Sequence, residues 1–291
     1  MRLLETWVAT PLAWAVGWTL LHSLWEGAII SAALVATLVA MRSPRARYGA
    51  ACVAMLVMLG GFALTLVRMM PEGTHGTRSV TTPPFPAWNV RTGMDAPGPS
   101  NPGLAVVAPW LTPFWIAGVW IFYLGHVASW TSVCRLRRRG VCCASEPWHK
   151  RLADLSAQLR LSRPIRLLES CLIDAPIVIG HFRPVILMPI GLLAGLPAGQ
   201  IEAILLHELA HIRRYDYLVN VLQRSVEGLL FYHPVVWWIS RVIRTERENC
   251  CDDVAVAMSG NAHEYAVALA ALNKTVGPAA NRPWPPQEGV S

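Results

Sequence analysis

From Tyr48 to Val67 the chain runs for about twenty residues without a charge, and this run narrows the available folds more than any other feature. At about 1.5 Å of rise per residue, a helix of that length crosses a hydrocarbon core of about 30 Å. Two further stretches have the same character: Gly27 to Met41, extended upstream by Trp14 to Trp25, and Ala108 to Val133. Composition agrees, since 54% of residues are hydrophobic, 15% are charged and 13 are tryptophan, far from an ordinary soluble domain. The expectation is a membrane region over residues 1–134 with three transmembrane helices, at about 14–41, 48–70 and 108–133.

Arginines set the orientation. Arg42, Arg45 and Arg47 fill the short connection between the first two spans, and Arg135, Arg137, Arg138 and Arg139 follow the third. By the positive-inside rule both clusters are cytoplasmic. The N-terminus and the loop 71–107 then lie outside, and residues 135–277 form a cytoplasmic domain, which makes the chain a multi-pass protein of the inner (cytoplasmic) membrane. A cleaved signal peptide fits poorly with Glu5, Glu26 and the absence of an early basic cluster. The loop, with Pro83-Pro84, Pro86, Pro97, Pro99 and Pro102, cannot bury enough apolar area to fold as a sensor and is expected to be extended chain, as is the proline-rich tail 278–291. Glu26 is the one carboxylate within the expected spans. It is either a functional position or, the preferred reading, a side chain that reaches the interface or bonds a neighbouring helix.

The chemistry is concentrated in two later elements. His207-Glu208-Leu209-Ala210-His211 puts two imidazoles at i and i+4, one turn apart on one helix face, with Glu208 beside them. The surrounding run Ile201 to Ile212 is apolar at helical spacing and follows Pro197, so the motif belongs on a buried helix. A catalytic zinc ion takes three protein ligands and keeps a fourth position for water; we assign the third ligand to Glu248. Asp252 stands one turn beyond Glu248, where it can sit behind a histidine ligand and fix its tautomer. The alternative, two charged helices with satisfied histidines, needs both patterns to arise by chance.

That assignment constrains the chain between the elements. A single crossing by Gly228 to Ile239 would leave Glu248 some 30 Å from His207, whereas ligands must lie within about 2 Å of the ion. The number of crossings must be even, and two full crossings would need about forty apolar residues, whereas this stretch carries Arg213, Arg214, Asp216, Arg224, Glu227, Arg241 and Arg244. A helical hairpin bent near His233-Pro234 is expected, with Trp237 and Trp238 in the core or at the headgroup level. Upstream, Pro176 to Ile179 and Pro184 to Met188 read as a strand pair, and Ile165 to Leu168 as a further strand. An exposed edge of this small sheet could take a peptide as an added strand; a covered, purely structural edge is the other reading.

The stretch Ala175 to Asp253 resembles the peptidase unit of the BlaR/MecR antirepressor family of membrane zinc peptidases. The matching residues are Pro176-Ile177-Val178-Ile179-Gly180, Arg183 to Pro189, His207 to Arg214 with Asp216 and Asn220, then Phe231, Pro234, Val236, Trp237 and Trp238, and finally Arg247-Glu248 with Cys251-Asp252. His22-Ser23-Leu24-Trp25 resembles the family's first membrane helix. The resemblance implies a gluzincin-like zinc peptidase domain, mainly α with a small β-sheet, after the membrane helices. It implies His207, His211 and Glu248 on one Zn2+ ion with Glu208 as general base, and as partner a cytoplasmic protein substrate, a transcriptional repressor. Within this sequence, no serine starts a Ser-x-x-Lys motif of the kind the family's penicillin-binding sensor carries, so beta-lactam sensing is unsupported by these residues.

The oxyanion-stabilising group is open, with His233, His263 and Tyr265 as candidates by residue type. The 7 cysteines contain no C-x-x-C spacing, and on the cytoplasmic side they are expected to be reduced thiols. The net charge of +7 comes largely from membrane-flanking arginines that meet the lipid bilayer. Direct nucleic-acid binding is not expected, and self-association into a homo-oligomer stays open. A non-proteolytic membrane signalling or scaffold protein is the alternative function, but such a protein has no need of Glu208.

Overall fold

The computed structural model describes Trp7 and residues 10–70, 102–136, 139–180 and 183–275. The chain is mostly helical, with three helices long and apolar enough to cross a membrane and a small mixed sheet after them. The membrane helices are α1 (Pro11–Ala40), α2 (Pro44–Met69) and α3 (Pro102–Leu136). Residues 102–107, expected in the external loop, are instead helical, because a proline in the first turn lacks only an N–H that has no intrahelical partner anyway. The rest of that loop and the tail 278–291 lie outside the described residues. Glu26 bonds a neighbouring helix: Thr65 Oγ1 donates to its Oε1 at 2.7 Å, joining α1 to α2.

Beyond α3 the chain forms β1 (Val141–Cys143), α4 (Glu146–Gln158), β2 (Arg166–Ser170), β3 (Ile177–Ile179), β4 (Val185–Pro189), α5 (Leu192–Gly195), α6 (Ala198–Arg213), α7 (Asp216–Leu229), α8 (Pro234–Ser259) and α9 (Ala262–Thr275). The sheet order is β1-β2-β4-β3. β2 and β4 are parallel, with Leu167 opposite Ile186, while β1 and β3 run antiparallel to their neighbours. All five residues of β4 are buried, as expected of a central strand covered on both faces. Alternation divides the faces: Leu167, Ile186 and Met188 join the core built on α6, whereas Leu168, Val185 and Leu187 pack toward Val133 at the end of α3.

The stretch between the two ligand elements is the expected helical hairpin, α7 and the first half of α8 meeting at His233-Pro234. Its location was not foreseeable. Its apolar face, Val226, Leu230, Val236, Ile239 and Ile243, packs against Leu20, Leu34, Ala51, Met55, Met58 and Phe62 of α1 and α2. The tip meets α1 near Gly27, about 20 Å along the helix from Ala40 at about 1.5 Å per residue. There a Cβ on Gly27 would fall 2.3 Å from His233 Cε1, so only glycine admits the tip. Non-helical backbone inside a helical bundle needs protein partners, and side chains supply several here. Trp115 Nε1 donates to Leu229 O, Trp237 Nε1 to Phe231 O, and Ser23 Oγ pairs with the Tyr232 hydroxyl. His233 Nδ1 accepts from Val235 N–H, which leaves Nε2–H to donate to Ser23 O at 3.0 Å. Trp237 packs against Phe122, and Trp238 against the cluster shared by hairpin and bundle.

Candidate active site

α6 carries Ile201, Leu205 and Leu209 into the core, fully buried, and this turns His207 and His211 toward the surface with 15% and 20% of their side chains exposed. Two residues after the helix comes Tyr215, whose φ of 59° is rare for a residue with a Cβ. This left-handed turn starts α7 at once, so the buried Asp216 folds back and its Oδ2 lies 2.8 Å from His211 Nδ1. α8 packs on α6 through Cys251, Val254 and Ala255. Its one-turn repeat brings Glu248 and Asp252 to the same two rings.

Three donor atoms converge. His207 Nε2 and His211 Nε2 are 3.2 Å apart, and Glu248 Oε2 is 3.4 Å and 3.6 Å from them. A tetrahedral zinc site with bonds of about 2.0–2.1 Å has ligand–ligand edges of about 3.4 Å, so the triangle has the dimensions of one face of such a site. The far sides of both rings are also engaged. His207 Nδ1 lies 3.0 Å from Asp252 Oδ1 and 2.9 Å from the Tyr265 hydroxyl, which itself donates to Asp252. His211 Nδ1 lies 3.3 Å from Cys251 Sγ. His211, Asp216 and Cys251 make a second group of potential ligands. It fits a metal less well: it uses the 2.8 Å hydrogen-bonded contact as an edge, and burial pushes the Cys251 thiol up, away from the thiolate a metal needs.

Charge in the site follows from this packing. Burial alone would lower both histidines, but Asp252 and Glu248 outweigh it at His207, raised to about 9, and Asp216, Cys251 and Glu248 do so at His211, raised to about 12. Glu248 opposes burial in the same way, and its two histidine partners hold it well below the usual carboxylate range. Glu208 differs. It is buried with its carboxyl pushed up by desolvation, against the pull of His211 and His207.

The three residues considered for an oxyanion lie elsewhere. Tyr265 stands behind His207 on its Nδ1 side, His233 caps α8 inside the bundle, and His263 is exposed at the start of α9 outside the cleft. The cleft that opens on the ligand triangle has a volume of about 390 Å³. Tyr217, Asn220 and Arg247 share its wall with Ile177 and Val178 of β3, the outer strand of the sheet. Among the described residues no strand covers the other edge of β3. Tyr265 had no signal in the sequence as a partner of the rings; Asp216 and Cys251 were marked only by resemblance.

The family profile described as BlaR1 peptidase M56 matches residues 22–284. Among curated proteins the chain is similar to the regulatory protein BlaR1 of Bacillus licheniformis, with 28% identity over 138 residues, which is 47% of this chain and 23% of that protein. It is also similar to the methicillin resistance mecR1 proteins of Staphylococcus aureus and Staphylococcus epidermidis, with 27% identity over 93 residues, 32% of this chain and 16% of each relative. The matched stretches thus cover less than a quarter of these relatives' lengths.

Proposed function

Because the chain belongs to the M56 family of BlaR1 peptidases, we propose that it is a membrane-bound zinc endopeptidase that hydrolyses a peptide bond in a cytoplasmic regulatory protein, a transcriptional repressor. His207, His211 and Glu248 hold the ion, Glu208 is the general base, and Asp252 supports His207. The observation that carries this reading is the triangle of 3.2, 3.4 and 3.6 Å edges beside a buried carboxyl group. A zinc ion held there would supply Lewis acidity, which polarises a carbonyl and lowers the pKa of water from about 15.7 towards about 7.

The remaining work falls to the chain. Asp252 with Tyr265, and Asp216 with Cys251, hold each imidazole with its Nδ1 side engaged, which turns the Nε2 lone pairs to a common point. Glu208, whose carboxyl is pushed up by burial and so binds a proton more readily than an exposed carboxylate, takes the proton of the attacking water and passes it to the leaving amine. The edge of β3 can receive the substrate as an antiparallel or parallel strand through main-chain hydrogen bonds, which fixes register without demanding a particular sequence. In the membrane, the arginines after α1 and α3 support a cytoplasmic location for residues 135–277.

Metal analysis and peptide cleavage on the purified full chain test this reading. Glu208→Gln is expected to keep zinc at the wild-type level while cleavage falls by about 10²–10⁴-fold. Glu248→Ala is expected to lose both. A Glu208→Gln protein that cleaves at the wild-type rate contradicts the proposed base.

A further inference from the structure

The seam between α2 and α8 runs from the membrane to the metal site. Ala51, Ala54, Met55 and Met58 of α2 are buried in one cluster with Ile239 and Ile243 of α8. At the cytoplasmic end of α2 the seam turns polar, directly behind the ligands. The Tyr48 hydroxyl reaches Asp216 Oδ1 at 3.5 Å, while the other oxygen of that carboxylate lies 2.8 Å from His211 Nδ1. The Arg214 guanidinium lies 4.8 Å over the Tyr48 ring and its Nε is 3.6 Å from the same Asp216 Oδ1. One turn of α2 thus borders the buried carboxylate from the side opposite the histidine. Beside it Arg47 Nε contacts Glu246 Oε1 at 2.7 Å, with Glu246 buried two residues before Glu248.

We propose that Tyr48 and Arg47, near the start of a membrane helix, are positioning residues of the metal site: Tyr48 sets Asp216 and through it the His211 ring, and Arg47 sets the turn of α8 that carries Glu248. The physical reason is freedom of rotation. Asp216 has two oxygens: His211 Nδ1 and Cys251 Sγ both engage Oδ2, and contacts on that one oxygen leave the carboxylate free to swing about it, whereas the Tyr48 hydroxyl on Oδ1, with the Arg214 guanidinium nearby as an ion pair, fixes the other end. Glu246 is held likewise, by Arg47 on Oε1 and Asn249 on Oε2. Any shift of α2 along its seam with α8 therefore moves both the support of one histidine and the turn bearing the carboxylate ligand. This inference rests on the zinc reading above.

The test uses the full chain in detergent micelles, zinc itself as probe, and two readouts: zinc affinity by chelator competition, and the ¹⁵N signals of the His211 ring in metal-free protein. Tyr48→Ala is expected to weaken zinc binding by about 10–100-fold, the usual effect of losing an outer-shell partner, and to shift the His211 signals. Tyr48→Phe keeps the ring under Arg214 and is expected to lose about two- to tenfold, the worth of one hydrogen bond. Arg47→Gln is expected to weaken zinc binding while leaving the His211 signals in place. Should Tyr48→Ala fail to fold, Tyr48→Phe and Arg47→Gln carry the same test. Zinc affinities within twofold of wild type, with unchanged His211 signals in the Tyr48 variants, overturn the proposal. A wild-type protein that takes up no zinc, yet whose His211 signals still respond to Tyr48→Phe, contradicts the zinc reading and leaves the positioning role standing.

Discussion

The imidazoles of His207 and His211 are each held from behind, one by Asp252 and Tyr265, the other by Asp216 and Cys251. Because carboxylates dominate these contacts, both rings hold protons tightly when no metal is present. The sign of the resulting pH dependence is fixed. A folded pKa of about 9 at His207, above the 6.5 of an ordinary imidazole in the unfolded chain, means that the charged ring stabilises the metal-free protein fully below about pH 6.5, a contribution lost as pH rises through about 9. Zinc needs neutral rings, so its binding displaces those protons and its affinity moves the other way. Chelator competition is expected to show affinity rising by about tenfold or more per pH unit between pH 6.5 and 9, while the melting temperature of the metal-free protein falls over the same window. An affinity flat across that window contradicts the assignment of these rings. The i and i+4 spacings made the proposed ligands His207, His211 and Glu248 readable as a group from sequence, since helical geometry fixes which side chains share a face, and the structure brings their donor atoms together. Tyr265 was readable only as a residue type: it comes 58 positions after His207, and nothing local links them.

At the scale of elements, the hairpin shows what a distance constraint supplies and what it leaves out. Three ligands on one ion required an even number of crossings, and the bend at His233-Pro234 followed from composition. Its seating did not follow. The close approach at Gly27, and the donors that Trp115, Trp237 and His233 send to backbone carbonyls, depend on partners up to 210 residues apart. Gly27→Val is expected to destabilise the protein by about 1–3 kcal/mol through overpacking against His233, seen as a lower melting temperature in detergent. Gly60→Val, where an added Cβ meets nothing within 4 Å, is the matched control and is expected to melt as wild type. Equal melting temperatures for the two variants would show that the hairpin tip does not seat at Gly27. The strand pair was legible for a local reason, short β-branched runs parted by a turn. β1 was not: Val141 to Cys143 is three residues long and owes its conformation to pairing with β2.

For the whole molecule, the bundle and the site-bearing elements form one packed body, because the apolar face of the hairpin is covered by α1 and α2 rather than by the rest of residues 135–277. Excised, that region would expose Val226, Leu230, Val236, Ile239 and Ile243 together, a contiguous apolar patch of the kind that drives association. A 135–277 fragment is therefore expected to require detergent, and light scattering after detergent removal should show aggregates; a monodisperse monomer in plain buffer would mean that the hairpin does not depend on the membrane helices. The central claim concerns one ion held by two helices, and X-ray absorption at the zinc edge of the purified full chain tests it most directly. The expected spectrum has two imidazole nitrogens and carboxylate oxygen at about 2.0–2.2 Å and no sulfur. A sulfur shell at about 2.3 Å would instead place the metal at Cys251 with Asp216, and would contradict the role of Glu248.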